Sequence, residues 1–104
     1  MNKAKKIELF RNELIETEKM ILEEVQLINA GKDSKWTIVQ LQNVVYPEMK
    51  ELLKNTEDKK IHCKHGKKHR YLHSTYLLTD CLENLDDTVL GKKIGEIQRI
   101  YYKL

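Results

Sequence analysis

Turn-forming residues are scarce in this chain, with four Gly and one Pro among 104 residues. That scarcity excludes a collagen-like or loop-rich chain and most all-β folds, which need frequent turn residues. Cysteine is nearly as rare. Cys63 and Cys81 are too few for a disulfide framework, so a reducing, cytoplasmic setting is expected. No apolar run approaches the roughly 18 residues of a membrane span, and no membrane partner is expected. The opening segment, residues 1–6, is basic, but the acidic amphipathic sequence behind it is unlike a signal-peptide core. Arginine is uncommon as well, 3 of the 19 basic residues, whereas Lys, Glu, Asn and Ile are common. That balance fits an AT-rich bacterial genome, and a thermophile would share its Lys/Glu enrichment. A single domain over residues 1–104 is expected, since the length suits one core.

What is present is helical periodicity. Ile7, Phe10, Leu14, Thr17, Ile21, Val25 and Ile28 recur every three or four residues, with Ile15 and Leu22 widening the stripe. This predicts an amphipathic helix over residues 3–30, closed by Gly31. Ser34 or Thr37 can cap a second helix, and Thr37 to Gln40 has the capping-box spacing. Its stripe is Ile38, Leu41, Val45, Met49 and Leu52 or Leu53. The stripe stays in phase across Pro47, which predicts one kinked helix from 37 to about 54; a break at Tyr46 is the alternative. Residues 55–66 have no stripe and are expected to form one long loop. A third helix is expected from about Lys67 to Leu85, with Leu72, Thr75 or Tyr76, Thr79, Leu82 and Leu85 inward and Cys81 in the core. It should be the most buried of the set. Asp87 can cap a fourth, in which Leu90, Ile94, Ile97, Tyr101 and Leu104 form the seam. Gly91 and Gly95, four apart, suit a close helix–helix approach. The fold class is therefore all-α, a small antiparallel four-helix bundle.

Charge is unevenly distributed. Lys59, Lys60, Lys64, Lys67, Lys68 and Arg70 give a local charge of +6 in a chain whose net charge is +3. Two acidic surfaces balance them. One is on the first helix, where Glu13, Glu16, Glu23 and Glu24 lie off the apolar stripe; the other is Asp80, Glu83, Asp86 and Asp87. Three readings of the basic segment are open. Its cations can neutralise phosphates while Tyr71 stacks on bases, but no helix-turn-helix or glycine-rich nucleic-acid motif accompanies it. His62, Cys63, His65, His69 and His73 are weak metal candidates; no four-ligand set can be chosen among them, and six cations repel a divalent ion. The third reading is a solvated loop that meets an acidic surface of this chain or of a partner.

Catalysis has little support. Cys63 lies between His62 and Lys64, which favours its thiolate, but a nucleophile also needs an oriented base and an oxyanion site. No Ser/His/Asp set, phosphate-binding loop or Glu-x-x-His pair occurs, and no cofactor is expected. Six of the seven aromatics, namely Trp36, Tyr46, Tyr71, Tyr76, Tyr101 and Tyr102, have a polar end suited to interfaces or to helix ends. The expected function is therefore that of a small non-catalytic protein, of inhibitor, immunity/antitoxin or adaptor type. It would bind another protein through its acidic surfaces, as a monomer or homodimer. Nucleic-acid binding through Lys59–Arg70 is the alternative, and a histidine-based metal regulator the third.

Overall fold

A stretch of 27 residues with neither proline nor glycine lets the first helix, α1 (Lys3–Asn29), run unbroken. At 1.5 Å per residue it spans about 40 Å, close to the molecule's 44 Å long axis. The structure, a computed structural model, describes residues 3–57, 71–80 and 84–104. Phe10, Leu14, Thr17 and Ile21 are wholly buried along α1. The buried Thr17 hydroxyl donates to the Glu13 carbonyl at 2.8 Å, which removes the cost of burying it. Ile15 and Leu22 do not widen this stripe. Each follows a core residue and is rotated by about 100° from it, and both are exposed. Gly31 ends the helix at φ +79. The Lys32 amide donates to Leu27 O and the Gly31 amide to Ile28 O, a paired closure that uses two of the last carbonyls.

Thr37 caps the next helix by the expected capping box. Its hydroxyl accepts from the Gln40 amide at 3.1 Å, and the Gln40 side chain accepts from the Thr37 amide at 2.9 Å. Three helical stretches then follow without a gap: α2 (Ile38–Gln40), a π-helical turn (Leu41–Val45) and α3 (Tyr46–Glu57). In the π turn the Tyr46 amide donates to Leu41 O, five residues back. Where a kink at Pro47 is expected, the helix runs on without a gap and carries this wide turn just before the proline. Proline has no amide to donate and crowds the carbonyl four residues back, which a wider turn relieves. The core positions Leu41, Val45 and Met49 agree, because two steps of four exceed the 7.2 residues of two α-turns. The helix continues through residues 55–57, expected to be loop, with Thr56 buried and its hydroxyl bonded to Leu53 O. The remainder of the expected loop lies outside the described residues.

The third long segment differs from expectation in several ways. Its helix, α4 (His73–Asp80), is preceded by non-helical Tyr71 and Leu72, so it starts later than Lys67. Its buried positions are Ser74 and Thr75, while Tyr76 and Thr79 are exposed and Leu77 and Leu78 half-buried. Cys81 and Leu82 lie outside the described residues.

Asn84, in the left-handed region at φ 54, leads into a 3-10 turn (Leu85–Asp87) and then α5 (Val89–Lys103). Thr88, not Asp87, caps α5: its hydroxyl accepts from the Gly91 amide at 2.9 Å and donates to Leu85 O at 2.6 Å. Leu90, Ile94 and Ile97 are buried as the seam predicts. Phe10 of α1 stacks on Tyr101 of α5 with ring centroids 5.6 Å apart. No strand occurs among the described residues.

The close approach expected at glycine is real at Gly91 but is not between helices. A Cβ there would lie 1.8 Å from the Leu85 carbonyl oxygen, whereas one at Gly95 meets nothing within 4 Å. Gly91→Ala should therefore cost about 1–3 kcal/mol or more through overpacking, and Gly95→Ala should gain up to ~1 kcal/mol of helix propensity. Leu14→Ala and Leu41→Ala should each cost ~2–5 kcal/mol, since both leave holes in a closed core. Urea unfolding of the four variants would check the signs; equal effects at the two glycines would contradict the packing at Leu85.

Candidate functional site

Glu13 and Glu16 lie one turn apart on α1 and face α5. Both carboxylates pair with Lys93, Glu13 at hydrogen-bonding contact and Glu16 at 3.3 Å. The Lys93 side chain is only 11% exposed. Burial works against its charge, but hydrogen bonds to Glu13 and Glu16 and the attraction of their charges outweigh it, so its pKa is raised above the ordinary lysine value. Two of the four α1 glutamates expected to greet a partner thus serve the contact between α1 and α5. Of the others, Glu24 accepts from the Ser34 hydroxyl, which also accepts the Trp36 amide and fixes the turn after α1. Glu23 is exposed and makes no ion pair among the described residues.

The second acidic surface is built differently. Trp36, expected at an interface or helix end, is buried, and its indole N–H donates to the Thr88 hydroxyl at 3.1 Å. That hydroxyl therefore joins the turn after α1, the 3-10 turn and the start of α5. Asp86 and Asp87 are exposed on this pinned junction. Val89 follows at 77% exposure, the highest value among the large apolar residues described. Asp80 is the last residue of α4, and Glu83 lies outside the described residues.

A groove lies where α3 and the π turn meet α4. Val44, Glu48 and Glu51 follow one another at helical spacing on one side, and His73, Tyr76 and Leu77 on the other. Its volume is about 460 Å³. A smaller hollow of about 180 Å³, lined in part by Glu51, Asn55 and Tyr71, shares Glu48 and His73 with it. Glu48 makes this wall. Its carboxylate accepts from the His73 amide at 2.8 Å, the Ser74 amide at 2.8 Å and the buried Ser74 hydroxyl at 2.6 Å. The His73 Nδ1 is 3.4 Å away. A carboxylate from α3 thus caps α4, satisfying the first amides of an eight-residue helix and meeting the positive end of its dipole. Gln98 of α5 completes the anchorage, its side-chain oxygen accepting from the Leu72 amide at 2.7 Å and the Thr75 hydroxyl at 3.0 Å. Glu51 is exposed and takes part in no ion pair among the described residues.

The sequence did not point to Glu48, Lys93 or Gln98, whose partners are 23 to 80 residues away. Of the nucleic-acid candidates, Lys59, Lys60, Lys64, Lys67, Lys68 and Arg70 lie outside the described residues. Tyr71 is exposed, its ring 4.6 Å from that of Tyr76. Of the metal candidates, His62, Cys63, His65 and His69 also lie outside, and His73 sits on the groove. Among the described residues no group of three His, Cys, Asp or Glu side chains could hold a metal ion, and no helix is long and apolar enough to cross a membrane. No protein-family model, curated protein or solved structure matches the chain.

Two substitutions test these contacts. Lys93→Met should cost about 1–3 kcal/mol, the scale of hydrogen bonds to charged groups. Because the folded pKa is raised, the stabilisation is complete below the unfolded lysine value, roughly 10.4, and is lost as pH rises through the folded value. The stability gap to wild type should therefore hold constant from neutral pH to about 10 and close above it. Glu48→Ala should cost a similar ~1–3 kcal/mol and speed amide exchange at His73 and Ser74. Unchanged exchange there would remove Glu48 as the cap.

Proposed function

We propose that the chain is a small non-catalytic helical protein that acts by binding another protein, of inhibitor, immunity/antitoxin or adaptor type, in a bacterial cytoplasm. The observation that carries this reading is the junction before α5, where exposed Asp86 and Asp87 stand beside Val89 on backbone fixed by Thr88, Trp36 and Leu85. An exposed apolar side chain beside carboxylates has the make-up of an interface, an apolar contact with a charged rim. Rigid backbone lowers the cost of ordering it on binding. The fitting partner has a basic surface with an apolar recess, and opposite charge would steer the encounter. The scaffold we envisage is an antiparallel bundle, supported by Phe10 meeting Tyr101 while Glu13 and Glu16 meet Lys93. Glu23, also exposed, adds negative charge to the molecule's surface; Glu13 and Glu16, held by Lys93, contribute chiefly to stability.

A second reading, nucleic-acid binding, is favoured by one observation. Tyr71 and Tyr76 form an exposed aromatic pair next in sequence to the Lys59–Arg70 segment. Against it, Glu48 and Glu51 line the groove at that pair and repel phosphate.

Affinity capture at low salt with mass spectrometry would identify the partner, and stopped-flow association of the purified pair would test the surface. Asp86→Asn with Asp87→Asn should slow association on the order of tenfold, and added salt should slow the wild-type protein likewise. Val89→Ser should speed dissociation. Glu13→Gln with Glu16→Gln should lower stability and leave association nearly unchanged. Recovery of nucleic acid in place of a protein, lost on replacing Lys64, Lys67, Lys68 and Arg70, would favour the second reading.

A further inference from the structure

We propose that the groove between α3 and α4 is a receptor for an arginine side chain presented by a polypeptide partner. This gives a second, chemically defined contact to the protein-binding function proposed above and rests on that reading for the source of the arginine. The groove's charge comes from α3. Glu48 and Glu51 are three residues apart and face the same way. Glu48 is committed to the start of α4 by three hydrogen bonds, so it supplies charge but little remaining acceptor capacity. Glu51 is exposed, outside every ion pair among the described residues, and borders both hollows.

The opposite wall supplies an aromatic surface. Tyr76 is 51% exposed, and Tyr71 packs on it at a 56° tilt, which restrains its ring. A cation between carboxylates and a tyrosine ring gains from both. Guanidinium suits this arrangement better than ammonium. It is planar, stacks on aromatic rings, is weakly hydrated and presents several donors in one plane, for which Glu51 and the carbonyl of the Asn43 side chain on the groove wall are acceptors. The volume of about 460 Å³ accommodates a single long side chain. A bare divalent ion fits less well, since the described residues bring no three ligand side chains together.

The test uses the full chain, isotopically labelled, titrated with three capped tripeptides, Gly-Arg-Gly, Gly-Lys-Gly and Gly-citrulline-Gly, with binding followed by amide chemical shifts. The arginine peptide should shift the amides of Glu48, Glu51 and residues 73–77. The lysine peptide should bind more weakly by threefold or more, and the uncharged citrulline peptide by about tenfold or more. Glu51→Gln and Tyr76→Leu, both at exposed positions where the fold should tolerate them, should each weaken arginine binding at least threefold while the rest of the spectrum stays native. Equal binding of the arginine and citrulline peptides would overturn the proposal, as would equal binding of arginine and lysine, shifts confined to another surface, or full affinity in both variants. Binding that emerges only after Lys67→Gln, Lys68→Gln and Arg70→Gln would give the groove to this chain's own basic segment and also overturn it. The peptides need no native partner. Peptide binding without partner capture would thus sink the functional reading alone, and partner capture without peptide binding would sink the groove.

Discussion

The Glu48 carboxylate is the interaction on which the α4 side of the molecule depends. An isolated eight-residue helix is far below the length at which helices persist in water. Its buried positions near the start are Ser74 and Thr75, which offer hydroxyls in place of apolar surface. Left alone, that segment would have unpaired amides and buried hydroxyls at its first turn. Glu48 answers the His73 and Ser74 amides and the Ser74 hydroxyl together, and Gln98 answers the Leu72 amide and the Thr75 hydroxyl. The position of α4, and with it the second wall of the groove, is therefore set by polar groups contributed from α3 and α5. The same carboxylate that holds the wall also charges the hollow.

The acidic residues divide by the work they do. Glu13 and Glu16 hold Lys93, Glu24 holds Ser34, and Tyr46 donates to Glu18 at 3.3 Å. Asp86 and Asp87 instead stand at the surface of a junction fixed beneath them by the Thr88 hydroxyl. Carboxylates engaged inside the fold shape it. Those on rigid backbone and outside the ion pairs among the described residues are the ones whose charge is directed outward.

Features with a local or periodic cause were legible in the sequence. Stripes on α1 and α5 follow from the 3.6-residue repeat, the Thr37–Gln40 box from a three-residue spacing, and the end of α1 from glycine's access to positive φ. The π turn had a faint signature too, in the successive four-residue steps from Leu41 to Val45 to Met49. Thr88 and Asp87 were harder to separate, because both residue types cap helices; the choice is fixed by Trp36, whose buried indole N–H needs an acceptor and finds the Thr88 hydroxyl. Ile15 and Leu22 misled because an apolar residue beside a stripe reads as part of it, although one step along a helix turns it to solvent. The groove as a whole was not legible, although Tyr71, His73 and Tyr76 were each singled out for other reasons. Its charge depends on pairings between residues 25 or more apart, and a glutamate on a helix surface looks the same in sequence whether it caps another helix or faces water.

The pairing of α1 with α5 joins residues 80 positions apart, since Lys93 must find Glu13. Most helical bundles of this size fold quickly because neighbours in space are neighbours in sequence, and a contact between distant segments must first overcome the entropy of closing the intervening loop. During synthesis the apolar face of α1 emerges well before α5 and waits for it to be made. Over that interval the side chains later covered by α5, Phe10 among them, stay open to competing contacts, so this part of the nascent chain is most exposed to misassembly just before α5 arrives.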